Sequence, residues 1–110
     1  MKVKLRPPMD NLENVPRGVR PGYEYLVLGI EADDYRLLND EAEPVLYDLT
    51  LFDIVDDQEP SNWIHHVGPD GEHYAYPPEL NARGFFEDYH DGVPASVETF
   101  RRFLSSLNDK

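Results

Sequence analysis

Apolar and polar positions follow a period of two, or short apolar runs, through most of the chain, and helical spacing emerges only near its C-terminal end. Residues 15–22, Val-Pro-Arg-Gly-Val-Arg-Pro-Gly, are turn and loop material. Residues 23–30 are β-rich and almost continuously apolar, which predicts a central strand. In that strand Tyr25 and Val27 line one face, Leu26, Leu28 and Ile30 the other, and Gly29 marks a bulge or bend. Residues 35–38, 44–47 and 51–55 read as three more strands joined by short connections, as in a meander. Residues 62–67 and 72–76 flank Gly68-Pro69-Asp70-Gly71, a composition suited to a hairpin loop. With Val67 opposite Glu72, His65 faces Tyr74, Trp63 faces Tyr76 and His66 faces His73. The Trp63–Tyr76 side is then the inward one.

Beyond Pro77-Pro78 the pattern changes. Residues 84–89 suggest a single helical turn. The spacing of Val97, Phe100, Phe103/Leu104 and Leu107 predicts an amphipathic helix over 95–107, with Ser96 as its N-cap. The expectation is one mainly β domain over residues 1–110, with five to six strands and a C-terminal α-helix.

Charge changes the picture. Twenty-two Asp and Glu stand against ten Lys and Arg, a net charge of −12. Residues 31–59 alone hold eleven acids and one base, Arg36, whereas residues 1–22 are net positive. The basic first segment is expected either to lie against the acidic middle or to stand off as an arm. A charge of roughly 2–8 suffices to keep a small domain soluble, so the surplus points to a partner with a basic surface. The same charge repels phosphate backbones and anionic membranes, which argues against direct nucleic-acid or membrane binding. The chain has no Cys, no apolar run near the ~20 residues of a membrane span, and no apolar stretch after its first basic residues. A cytoplasmic location is expected.

Candidate chemistry is sparse. His65, His66, His73 and His90 lie among Asp70, Glu72 and Asp91, yet their spacing matches no ligand motif, and surface histidines are the ordinary explanation. Paired acids such as Asp33/Asp34 and Asp56/Asp57 arise readily in so acidic a chain. There is no nucleophile elbow, phosphate-binding loop or dinucleotide fingerprint. The expectation is a protein that is not an enzyme and carries no cofactor or metal. What remains is binding. Asp33, Asp34, Asp40, Glu41, Glu43, Asp56, Asp57 and Glu59 sit on the connections between strands. If those loops converge, the eight carboxylates form one negative face that steers a basic partner. Tyr23, Tyr35, Trp63 and Tyr89 are the candidate aromatic anchors.

Two resemblances bear on this reading. The run Val45-Leu46-Tyr47-Asp48 resembles the opening motif of SH3 domains, and Trp63, Gly71-Glu72, Tyr74 and Pro77 follow in the order of that fold. Between Tyr47 and Phe52 there is no room for the long acidic loop with which SH3 domains read peptides. The likeness therefore implies a small SH3-like barrel, with peptide binding through Trp63, Tyr74 and Tyr76 as the second functional reading. The string Pro21-Gly22-x-x-Tyr25-x-Val27-Leu28-Gly29-Ile30-Glu31, then Tyr35-Arg36-Leu37-Leu38 and Asp70-Gly71-Glu72, is similar to small acidic bacterial proteins. Some of these look like immunity partners of polymorphic toxins. This second resemblance implies an inhibitor that occludes a cationic toxin, often a nuclease, or another nucleic-acid-binding protein.

Overall fold

A computed structural model describes residues 1–6 and 15–107. Seven strands alternate with short turns before two helices: β1 (Lys2–Leu5), β2 (Tyr25–Glu31), β3 (Asp34–Leu38), β4 (Pro44–Asp48), β5 (Phe52–Asp56), β6 (Ile64–Val67), β7 (His73–Tyr76), α1 (Phe85–His90) and α2 (Pro94–Leu107). Every pairing is antiparallel. The main path runs β4-β3-β2-β1-β5, and the β6–β7 hairpin joins it through β7 on the last two residues of β2. The protein is thus mainly β with a C-terminal helix. The sheet is not closed into a barrel: β4 and β5 end the path and share no ladder. The 3-10 turn Leu49–Leu51 carries the chain away from β4 so that β5 pairs with β1 instead.

The seventh strand is β1, which falls within the segment that charge alone marks as a basic arm. Lys2-Val3-Lys4-Leu5 alternates polar and apolar, and its pleat buries Val3 and Leu5 completely or nearly so while the lysines face water. Residues 7–14 of that arm lie outside the described part. The rest of the first segment is tied to acids of the middle: Arg6 to Asp53 at 2.9 Å, Arg20 to Asp40 at 3.1 Å and Arg17 to Glu41 at 3.6 Å.

Strand β2 separates two apolar clusters. Tyr25 and Val27 pack with Val3, Leu37, Phe52 and Trp63 on one side, and Leu28 packs with Leu80, Phe86, Phe100 and Phe103 on the other. Strict alternation would send Ile30 to the second cluster with Leu28. It joins the first, because the β2–β3 register shifts between Val27 and Gly29 and the added residue reverses every side chain after it. Gly29 has a second duty. A Cβ there would stand 2.2 Å from the Tyr76 ring, so only glycine lets the β6–β7 hairpin lie this close.

That hairpin pairs one residue out of the expected register. Gly68 joins the ladder by donating its N–H to the Glu72 carbonyl at 2.7 Å, leaving a three-residue loop that ends on Gly71 at φ +84°. Ile64 therefore faces Tyr76, His65 faces Ala75 and His66 faces Tyr74. Trp63 and Tyr76 are both buried, but in different clusters rather than on a shared face. Helix α2 also starts earlier than expected. Pro94 occupies the first helical position, where its missing N–H costs nothing, and Ser96 lies inside the first turn rather than at the cap. No helix among the described residues is long and apolar enough to cross a membrane.

Candidate functional site

The eight acids expected to form one face lie in three groups. Asp33 and Asp34 sit at the β2–β3 turn, whereas Asp40, Glu41 and Glu43 occupy the β3–β4 turn at the other end of the five-residue β3, about 13 Å along the strand. Asp56, Asp57 and Glu59 follow along the end of β5 and the loop after it. Consecutive turns of an antiparallel meander lie at opposite ends of the strand between them, so the reversal of the chain through β3 holds the first two groups apart.

The second group is largely spent on structure. The Asp40 carboxylate accepts from the Tyr25 hydroxyl at 2.9 Å and from Arg20 Nε at 3.1 Å, which pins the loop over residues 15–22 against the sheet. Tyr47 reinforces this by donating its hydroxyl to the Arg17 carbonyl at 2.6 Å. The bond to Asp40 holds the Arg20 guanidinium above its ordinary range. In the third group, Asp56 accepts from the backbone N–H of Gln58 at 2.9 Å, and Glu59 contacts His65 at 2.7 Å.

The first group is different, because it gathers more acids than the sequence singled out. Asp34 and Asp48 are direct partners in the β3–β4 ladder, and Glu31 and Asp33 flank them. Burial, and then the carboxylates of Asp48, Asp33 and Glu31, push the Asp34 carboxyl above the usual range. Asp48 moves the other way, since the Thr50 backbone N–H and hydroxyl both donate to it. Like charges set directly opposite destabilise a ladder. The fold carries that cost at one turn.

Glu31 also lines a cleft of about 750 Å³ between the β6–β7 hairpin and residues 80–87. At its base lies Arg36, 7% exposed, the buried charged residue among those described. Its guanidinium donates to the Tyr76 hydroxyl at 3.1 Å, the Pro44 carbonyl at 3.1 Å and the Glu31 carboxylate at 2.9 Å. The Tyr76 hydroxyl in turn donates to Glu31 at 2.8 Å, and burial pushes that phenol well above its ordinary range. Every polar atom buried here has a partner. This network escapes a sequence reading, because Arg36 is the lone base in an acidic stretch and nothing local reveals that Tyr76 and Phe86 enclose it.

The aromatic residues do not form an open platform. Trp63 and Tyr76 are buried, and Tyr74 is half-buried beside His66. Of the four candidate anchors, Tyr23 alone is exposed, with the Arg20 guanidinium over its ring at 4.0 Å. Tyr35 packs edge-on against Phe52, and Tyr89 packs against Phe100. Of the histidines, it is His65 and His73 whose ring nitrogens meet, because the register shift exchanges His65 for His66. Among the described residues, no group of three or more metal-ligating side chains converges. Comparisons with protein-family models, with curated proteins and with solved structures find no match to this chain.

Proposed function

We propose that the protein is a non-catalytic, acidic binding protein that docks on a basic partner through the β2–β3 turn and the adjoining mouth of the cleft. The observation that carries this is the crowding of Glu31, Asp33, Asp34 and Asp48, with Asp34 and Asp48 opposed in one ladder. A cationic partner relieves that repulsion on docking, so the strain of the free protein becomes a gain on binding. Asp40 and Glu41 contribute less, since Arg20 and Arg17 already face them. Inhibition of a cytoplasmic nuclease, by setting carboxylates where the enzyme accepts phosphates, is the biological form this takes. Immunity to a toxin is one such case.

The burial of Trp63 and Tyr76 speaks for the charged turn over an SH3-like aromatic groove as the contact. Affinity capture from source-cell extract tests the reading, using the natural chain and an Asp33→Asn, Asp34→Asn, Asp48→Asn variant, at about 50 mM and about 500 mM salt. The expected result is a basic protein retained at low salt by the natural chain and lost both in the variant and at high salt. Recovery of only neutral or acidic partners, or equal retention by the variant, overturns it.

A further inference from the structure

Two imidazoles of the β6–β7 hairpin turn their nitrogens toward each other. His65 Nδ1 and His73 Nε2 stand 2.9 Å apart, and the far nitrogen of His65, Nε2, lies 2.7 Å from Glu59 Oε2. The register puts them there. His65 opposes Ala75 and Val67 opposes His73, so the two histidines are diagonal neighbours on one face of the hairpin. His66 projects to the other face, beside Tyr74. When Glu59 is ionised it can only accept, so a neutral His65 carries its proton on Nε2 and presents its Nδ1 lone pair to His73.

We propose that this pair is a binding site for a divalent transition-metal ion of the nickel and copper class, ligated by His65 Nδ1 and His73 Nε2. Imidazole nitrogen is a favoured donor for these ions. Two metal–nitrogen bonds of roughly 2.0–2.1 Å meeting at a right angle hold their nitrogens about 2.9 Å apart, whereas a tetrahedral angle needs about 3.3 Å. The observed separation therefore matches a cis pair in a square or octahedral ion, reached by swivelling two exposed rings. Glu59 supplies the carboxylate that a ligating histidine usually has on its far nitrogen, fixing both tautomer and ring direction. For the neutral pair the proton count closes: His73 gives up the proton on Nε2 and takes one on Nδ1, and the ion sits about 1.4 Å to the side of the line between the two nitrogens, where both lone pairs converge once the rings have swivelled. With two protein ligands, water fills the other positions and the ion exchanges readily.

Titration calorimetry of the whole chain with nickel chloride in a non-chelating buffer tests the site, together with electron paramagnetic resonance of the copper(II)-loaded protein. One ion per chain is expected, with coupling to two imidazole nitrogens. His65→Ala and His73→Ala should each weaken nickel binding tenfold or more and reduce the copper coupling to one nitrogen. Glu59→Gln should weaken binding about tenfold, while His66→Ala and His90→Ala leave it unchanged. Absence of saturable binding, unchanged affinity in His65→Ala and His73→Ala, or an equal loss in His66→Ala overturns the proposal. Circular dichroism verifies that the variants fold. A copper spectrum of the natural chain without two-nitrogen coupling overturns it irrespective of the variants.

Discussion

The guanidinium of Arg36 lies over the ring of Phe86, with Cζ 3.9 Å from the ring centroid. One side of the charge is thus met by an aromatic face, while its edge is met by Glu31, Tyr76 and the Pro44 carbonyl. The contact joins the sheet to α1, because Arg36 belongs to β3 and Phe86 to the helix.

Removing Arg36 leaves Glu31 and the Tyr76 hydroxyl facing a void. Arg36→Ala is expected to destabilise by about 2–4 kcal/mol, combining lost packing with polar groups left without their donor. Phe86→Ala should cost about 3–5 kcal/mol through the cavity it opens. Urea unfolding of both single variants and the double variant checks this. The double variant should lose less than the sum of the two, by about 0.5–2 kcal/mol.

Opposed carboxylates predict a stabilising substitution. Asp34→Asn relieves the repulsion from Asp48 across the ladder, worth about 0.2–1 kcal/mol, or a rise in Tm of about 1–6 °C at pH 7. Asp34 is raised in the folded protein, so the native state holds its proton longer than the unfolded chain does. Stability therefore falls as pH climbs from the unfolded value, near 3.8, through the raised one. The advantage of Asp34→Asn should be full above that window and vanish below it. Melting curves from acid to neutral pH decide the matter.

Alkaline pH probes the buried phenols. Burial raises Tyr25, Tyr35, Tyr47 and Tyr76 above the ordinary tyrosine value. Their contribution is present below the unfolded value of about 10 and is lost as pH rises through the folded ones. Ultraviolet titration should show these four ionising together with loss of the fold, in a single steep step. Independent titration of all seven tyrosines near the ordinary value contradicts it.

Trp63 reports on the first cluster. At 7% exposure its emission should lie to the blue of free tryptophan and resist acrylamide. Ready quenching would place the ring at the surface and restore an aromatic groove as the contact. Acrylamide suits this chain because it is neutral, whereas iodide is repelled by the acids.

How far the residues themselves disclose this arrangement depends on what each element needs. The apolar run around Val27 announces a central strand, and Phe100 and Phe103 at helical spacing announce α2. The hairpin is legible too, but its register is not: whether Gly68 belongs to the loop or the ladder is decided by one hydrogen bond to Glu72. Strand β1 carries a plain alternating signal in Lys2-Val3-Lys4-Leu5, which its charge obscures. Least legible is the candidate site. The Asp34–Asp48 opposition depends on the β3–β4 register, and the Glu31–Arg36–Tyr76 network spans 45 residues of chain. Long-range contacts of that kind have no local pattern to announce them.

Because both apolar clusters lean on the same seven residues of β2, the described residues offer no seam along which the fold could come apart. Loosening the helices strips Leu28 of its cover, and loosening the other side does the same to Val27, one residue away along the backbone. The two halves must therefore melt as one, and calorimetry should record a single peak whose calorimetric and van't Hoff enthalpies agree.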